Sequence, residues 1–159
     1  MSSDFTLTAA APLDLGEVLA LLTTVGLPHE GVPELLTGRV GDFILARDPG
    51  GRLVGCAALE RYGRLGLLRS VAVSPDLPRA GLGSRLVSAV LEAAPDAGVE
   101  EVVLLTTTAG DFFTGRFGFV NTTRDRYEQE LAASPEWRLP RCSAAAVMRL
   151  DLRRGKHPE

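Results

Sequence analysis

The 159-residue sequence has two cysteines, two histidines and one tryptophan, and lysine occurs once, at Lys156. Cys56 and Cys142 are too far apart for a chelating pair, and His29 and His157 add no HExxH or Cys/His cluster, so metal chemistry is not expected. No apolar run approaches the roughly 20 residues that cross a bilayer; the uncharged run Ser143 to Met148 is far shorter. The start of the chain has neither a basic residue nor a continuous apolar segment, unlike a secretory signal, and the expected address is the cytoplasm, with no membrane partner. A net charge of −3 argues against a general nucleic-acid binder, which needs a clustered basic surface. Glycine (17) and proline (10) make up about a sixth of the chain, loop-rich but below the range of low-complexity disorder.

The chain does have a 45% hydrophobic composition, enough for one core and too little length for two. A single domain is expected over residues 1–152, followed by a basic tail, 153–159, that frays. Almost all the basic residues are arginine, whose forked donors suit anions, so their location matters more than their number.

Phe5 to Ala10 alternates as a strand, and Asp14 precedes a helical pattern that it is placed to cap. Gly26, Pro28, Gly31 and Pro33 mark a loop or broken helix. Strands are expected over Phe43 to Arg47, Leu53 to Arg61 and Leu67 to Val73, joined by tight turns at Asp48-Pro49-Gly50-Gly51 and Tyr62-Gly63-Arg64, which predicts an antiparallel meander. Leu82, Leu86, Val87, Val90 and Leu91 recur at helical spacing, Val102 to Thr106 is a buried strand, Asp111 to Arg116 a short helix, and Val120 begins another strand. Thr122 to Arg141 has little periodicity and one large anchor, Trp137. Ser143 to Leu152 supplies a last strand, whose Ala144 to Leu150 stretch, at a sheet edge, offers a route to a homodimer. The whole reads as one α+β domain.

The most informative stretch is Val71-Ala72-Val73-Ser74-Pro75-Asp76-Leu77-Pro78-Arg79-Ala80-Gly81-Leu82-Gly83-Ser84, where glycines fall as a post-strand loop becomes a helix. Without Cβ atoms, Gly81 and Gly83 let the backbone approach a phosphate, while free amides and the macrodipole supply attraction. Arg79 adds a charged donor. A G-x-G before a helix is also compatible with a mere tight turn. There is no GxxxxGK followed by Ser or Thr, and no acidic residue ends a second parallel strand, so neither a P-loop nor a dinucleotide fold fits.

These residues resemble the GCN5-related N-acetyltransferase (GNAT) superfamily, whose loop reads Gln or Arg, any two residues, Gly, any residue, then Gly or Ala. Pro78 to Gly83 occupies that pattern, with Pro78 in the usual basic position and the basic side chain shifted to Arg79. The resemblance implies a mixed, mainly antiparallel sheet of about six to seven strands flanked by helices, with a splayed strand pair holding the coenzyme. Acetyl-CoA is then the co-substrate, its pyrophosphate held at Arg79, Ala80, Gly81, Leu82, Gly83 and Ser84, and its pantetheine arm along Val71, Ala72 and Val73.

A narrower resemblance runs from Leu53 to Leu150. Leu68-Arg69-Ser70-Val71-Ala72-Val73, Leu104 to Ala109, Phe112-Phe113, Gly118-Phe119 and Arg141-x-Ser143 are similar to the arsenic-resistance-associated N-acetyltransferases and to the acetyltransferase domain of N-acetylglutamate synthases. It implies that Arg69, Arg141 and Ser143 bind an acidic amino-acid acceptor, Thr107 lying with them. Guanidinium groups grip carboxylates bidentately, which points to a small carboxylate-bearing amine or amino acid. The competing reading of Arg69 is a strand arginine paired to Glu60.

Direct transfer in a ternary complex requires an unprotonated amine, a stabilised oxyanion and a proton for the leaving thiolate. The superfamily's usual glutamate base is replaced by Leu67 and its usual tyrosine acid by Thr114, in a segment one residue longer than its relatives, where Gly115 is expected to accommodate a helix bulge. Glu60, through water, is the candidate base, and Tyr127 or Tyr62 the candidate acid, with the Thr106 to Thr108 hydroxyls also in the cleft. Cys142 has no adjacent histidine to make it a nucleophile. The missing base and acid leave an alternative, a coenzyme-binding regulatory or interaction module without catalysis. A protein-acetylating or toxin activity lacks a supporting basic patch or peptide groove.

Overall fold

A computed structural model describes residues 5–77, 81–142 and 144–155. Seven strands form one sheet, β1 (Thr6–Ala9), β2 (Gly41–Arg47), β3 (Leu53–Tyr62), β4 (Leu65–Val73), β5 (Glu101–Thr106), β6 (Val120–Thr122) and β7 (Ala146–Asp151), in the order β1-β2-β3-β4-β5-β7-β6. The helices are α1 (Leu15–Val25), α2 (Val32–Leu35), α3 (Leu82–Ala93), α4 (Gly110–Phe117) and α5 (Leu152–Gly155). Strands β1 to β4 run as the expected antiparallel meander, β4 and β5 pair in parallel across the α3 connection, and β5, β7 and β6 are antiparallel.

Both faces of the sheet are covered, which explains why β3 is buried over Leu53–Glu60 instead of alternating. On one face α3 packs Leu82, Leu86, Val87 and Val90 against Val54, Leu59 and Val102. On the other, Val18, Leu21 and Leu22 of α1 meet Val32 and Leu35 of α2 over Leu45, Cys56 and Ala58. A third cluster joins Leu67, Val103 and Val147 to Tyr127, Leu131 and Trp137 of the irregular 122–141 stretch. Trp137 is the anchor expected there and is 1% exposed.

Four local expectations are corrected. Asp14 makes no side-chain bond to the start of α1; its Oδ2 accepts from the Ala11 N–H at 2.8 Å, closing a 3-10 turn, while its other oxygen meets Arg47. Helix α4 runs as regular α-helix through Gly115 to its left-handed cap at Gly118, φ 78°, without a bulge. Leu152, expected to end the last strand, starts a helical turn that runs to Gly155 into the tail expected to fray, whose residues 156–159 lie outside the described residues. Most consequential, β7 is not an edge strand: β5 flanks it on one side and β6 on the other, so the Ala144 to Leu150 stretch offers no open ladder to a second copy.

Cys56 sits at 0% exposure on β3, and burial pushes its thiol up to about 12 from 9.0. A raised pKa means the neutral thiol is favoured in the folded state, so this contribution to stability is intact below pH 9 and is lost as pH climbs from there towards 12. Native protein at pH 8 should therefore leave Cys56 unlabelled by 5,5′-dithiobis(2-nitrobenzoate), mass spectrometry locating any adduct on Cys142, whereas denaturant should expose both thiols. Rapid native labelling of Cys56 would contradict the packing.

Candidate functional site

The site begins with a defect in β4. Leu65 to Leu68 pair with Glu101 to Leu104 of β5, and there the parallel ladder stops. On its other side β4 stays with β3, but Arg69 opposes Ala58 while Ala72 opposes Cys56, so β4 carries one residue more than β3 across that interval. The bulge is built on Ser70, whose φ of 58° is rare for a residue with a side chain. Two bonds hold it: Arg69 Nε donates to Ser70 Oγ at 3.2 Å, and the Cys56 thiol donates to the Ser70 carbonyl at 3.2 Å. Strain at a position over-determined by its surroundings is a reason to look for function there.

Beyond the bulge β4 turns away from β5. The Ser74 N–H donates to Val54 O on β3, so alternation along the strand points the main-chain groups of Val71 and Val73 the other way, towards the gap. Leu105 and Thr106 of β5 pair only with β7. Between the diverging strands lies a cleft of about 560 Å³, bordered by Val71 to Val73, by Leu104 to Ala109, by Phe112, by Val25 to Pro28 after α1, and by Glu136 and Cys142. That volume suits a small-molecule site.

The start of α3 stands beside it. Gly81 caps the helix at φ 72°, a conformation that an L side chain would strain, and the first-turn amides of Leu82, Gly83 and Ser84 precede any intrahelical acceptor. Gly83 differs: a Cβ there would stand 3.8 Å from Val73 Cγ2 and 3.9 Å from Phe112 Cζ, ordinary contact distances. The protein alone has room for a methyl at Gly83, so internal packing does not require its glycine. Leu82 packs its side chain into the core, at 2% exposure, and has only its backbone to offer a ligand. Arg79 and Ala80 lie outside the described residues.

Arg69 and Glu60 are brought together, as the competing reading had it. Arg69 Nη1 donates to Glu60 Oε2 at 2.7 Å, with side-chain exposures of 0% and 3%. The other Glu60 oxygen accepts from Tyr62 at 2.6 Å. Desolvation first, then that bond and the nearby carboxylate, hold the Tyr62 hydroxyl well above its ordinary pKa, so it is a donor at neutral pH. Glu60 is not among the residues bordering the cleft and is buried, at 2% exposure. Leu67, in the usual base position, is wholly buried in the third cluster.

Tyr127 is elsewhere. Its hydroxyl donates to Glu101 Oε2 at 2.6 Å, where Arg149 also binds, and desolvation followed by the Glu101 bond raises its pKa. Glu101 opens β5, whereas the cleft lies at the other end near Thr106, roughly 16 Å away at strand rise. A proton from Tyr127 has no direct path to the cleft. Thr107 and Thr108 do border it and are exposed; Thr106 Oγ1 is committed to the Ala109 N–H at 2.9 Å, shaping the entry to α4. Arg141 falls in the 3-10 turn Pro140–Cys142, next to cleft-lining Cys142, and Ser143 lies outside the described residues.

Two features have no sequence signature. Glu136, 7% exposed, faces the cleft with Oε1 3.9 Å from Arg69 Nε. The Val25 to Pro28 wall is drawn in by Arg69, which donates to Pro28 O at 3.3 Å and Glu30 O at 2.6 Å. Neither segment has a periodicity that reports its place; only the adjacency of Glu136 to the one tryptophan hinted that it was fixed.

Residues 17–119 match the model of the Acetyltransferase (GNAT) family. An amino-acid acetyltransferase of Neisseria meningitidis is 34% identical over 95 residues, 58% of this chain and 21% of that protein. An uncharacterized N-acetyltransferase of Chlorobaculum tepidum is 30% identical over 114 residues, covering 68% of this chain and 72% of its own length. Among solved structures, N-acetylglutamate synthase from Neisseria gonorrhoeae, complexed with coenzyme A and L-arginine, superimposes with a TM-score of 0.74 at 24% identity, over 94% of this chain and 34% of that one. The chain thus spans about a fifth of the meningococcal relative's length and a third of the gonococcal one's, and the structural likeness speaks for the fold.

Proposed function

Because the chain belongs to the Acetyltransferase (GNAT) family, we propose that its cleft transfers acetyl from acetyl-CoA to the amino group of a small, carboxylate-bearing amine or amino acid. The observation that carries this reading is the parting of β4 from β5 after Leu68, which leaves Val71 and Val73 with main-chain groups directed into a cleft that adjoins the start of α3. A pantetheine arm, itself a chain of amides, pairs with such an edge as an added strand, and the amides of Gly81 to Ser84, with Arg79 and Ala80, take the pyrophosphate. The residues present fit the coenzyme: Gly83 has no Cβ where the protein itself would tolerate one.

The acceptor enters past the Val25 to Pro28 wall. Its amine attacks the thioester carbonyl, the C–N bond forms as the C–S bond breaks, and the thiolate leaves with a proton. Amides at the free edge of β4 stabilise the oxyanion, and confinement between β4 and β5 supplies orientation. Arg141, Ser143 and Thr107 are proposed to hold the acceptor carboxylate, a reading supported by the cleft position of Cys142 and Thr107 and by the amino-acid acetyltransferases among the relatives. Glu60 is turned to Arg69 and Tyr127 to Glu101, so neither reaches the amine directly, and among the described residues the carboxylate that borders the cleft is Glu136. The competing reading, a regulatory module that binds acetyl-CoA without turnover, is favoured by the engagement of both candidate groups elsewhere.

Calorimetric titration with acetyl-CoA, followed by thiol release over carboxylated amines, aminated organoarsenicals and polyamines, separates the two. The expected result is binding, then turnover on a carboxylated amine whose kcat/KM rises tenfold per pH unit up to the amine's own pKa. Binding without turnover would establish the regulator. Absence of binding would overturn both.

A further inference from the structure

We infer that the Arg69 guanidinium is a positioning group that ties both walls of the cleft together, and that it is not the acceptor's carboxylate ligand; the inference rests on the acetyl-transfer reading of that cleft. Arg69 borders the cleft, yet its side chain has no exposed surface. Four of its five N–H donors are used within the protein. Nη1 gives one hydrogen to Glu60 Oε2 at 2.7 Å and one to the Glu30 carbonyl at 2.6 Å, Nη2 reaches the Pro28 carbonyl at 3.3 Å, and Nε reaches Ser70 Oγ at 3.2 Å. A carboxylate entering the cleft finds at most one Nη2 hydrogen left, and a bidentate grip would have to displace Glu60 from a dry, charge-matched contact or pull the guanidinium off a carbonyl.

The bonds fall into two sets. Pro28 and Glu30 belong to the connection between α1 and α2 that walls the acceptor end, while Ser70 is the bulged residue that turns the coenzyme edge of β4 outward. One planar cation, rooted beside the bulge, therefore sets the spacing between the wall and the strand. Glu60, braced by Tyr62, orients the guanidinium from behind. Lysine, with one compact ammonium, cannot span these directions.

A second observation, independent of the hydrogen bonds, shows how closely the wall is seated. Gly31 has φ 84°, and a Cβ there would stand 2.8 Å from Pro135 Cγ and 3.1 Å from Arg69 Nη1. The connection fits over Arg69 only because this residue has no side chain. Gly31→Ala crowds Pro135 and Arg69 Nη1 and lifts the wall while leaving the guanidinium's chemistry intact, and it should imitate the loss of Arg69.

The experiment compares wild type, Arg69→Lys and Gly31→Ala in two assays. Hydrogen exchange needs no acceptor: amides of residues 29–36 should exchange at least tenfold faster in both variants while those of α3 stay within twofold, and unchanged exchange over 29–36 in Arg69→Lys would overturn the inference. Thiol release then uses L-glutamate, L-aspartate and L-glutamine, each against its α-amide. Both variants should raise the acceptor KM tenfold or more, with the preference for carboxylate over amide kept within twofold of wild type. Collapse of that preference in Arg69→Lys, with Gly31→Ala behaving as wild type, would make Arg69 the carboxylate ligand. If wild type turns over no amine, the acetyl-transfer reading fails, and the exchange result alone decides whether Arg69 holds the wall.

Discussion

Val73→Pro should weaken acetyl-CoA binding at least tenfold while the protein still folds. The Val73 N–H points into the gap between β4 and β5, away from β3, so a proline there removes no bond of the sheet. What it removes is one donor that the pantetheine arm would meet, a hydrogen bond worth about 0.5–1.5 kcal/mol net, and the ring then fills the edge along which the arm must lie. Ala72, extended within β4, accepts a following proline. Ala72→Pro is the matched control, because that residue's main chain faces Cys56 of β3, and its loss should destabilise the sheet. Calorimetry for affinity and thermal melting for stability read the pair. Unimpaired acetyl-CoA binding by a folded Val73→Pro protein would remove this edge from the coenzyme site.

Trp137→Ala is expected to cost about 3–5 kcal/mol of unfolding free energy, a large share of the about 5–15 kcal/mol that holds a domain together. The residue is 1% exposed, its indole Nε1 donates to Glu128 at 2.9 Å, and the Arg124 guanidinium lies 4.2 Å over the ring, while the backbone N–H donates to Ser134 Oγ at 3.2 Å. Arg124 also reaches the Trp137 carbonyl at 2.7 Å. Few regular backbone ladders support residues 122–141, so this cluster is most of what fixes them, and with them Glu136 at the cleft. In urea titrations the midpoint should fall with little change in slope, and the folded variant should bind acetyl-CoA nearly as wild type while handling the acceptor poorly. A loss below about 1 kcal/mol would mean the segment is held by something other than its tryptophan.

The elements proposed to hold the coenzyme were legible in the chain and the wall and Glu136 around the cleft were not, for a physical reason. Val71 to Val73 and Gly81 to Ser84 would act through the backbone, and a backbone requirement writes itself into sequence as β-branched residues and glycines at fixed spacing. Arg69 and Glu60 were legible as residues and as a possible pair, and they meet diagonally across β3 and β4, where Glu60 opposes Leu67 and Arg69 opposes Ala58. The number of partners around Arg69 was not legible, because Pro28, Glu30 and Ser70 contribute oxygens that every residue type or many types possess. Glu136 and the wall after α1 come from segments placed by tertiary contacts alone. The edge position expected for β7 failed differently: Val120–Thr122 is three residues long, too short for its pattern to announce that it would flank the last strand.

The bulge at Ser70 has a further effect on how the protein keeps company with itself. Unpaired strand edges ordinarily invite other chains to dock and aggregate. Here the open edge of β4 lies inside a wedge whose apex is the hydrogen-bonded Leu68–Leu104 pair, with α4 and the wall after α1 at its mouth. A neighbouring strand needs about 4.8 Å, and towards the apex the wedge narrows to the ordinary spacing of the paired β4 and β5 ladder, which has no room for a third strand. The geometry proposed to admit the coenzyme therefore also guards against polymerisation, because the open edge is reached only between α4 and the wall after α1.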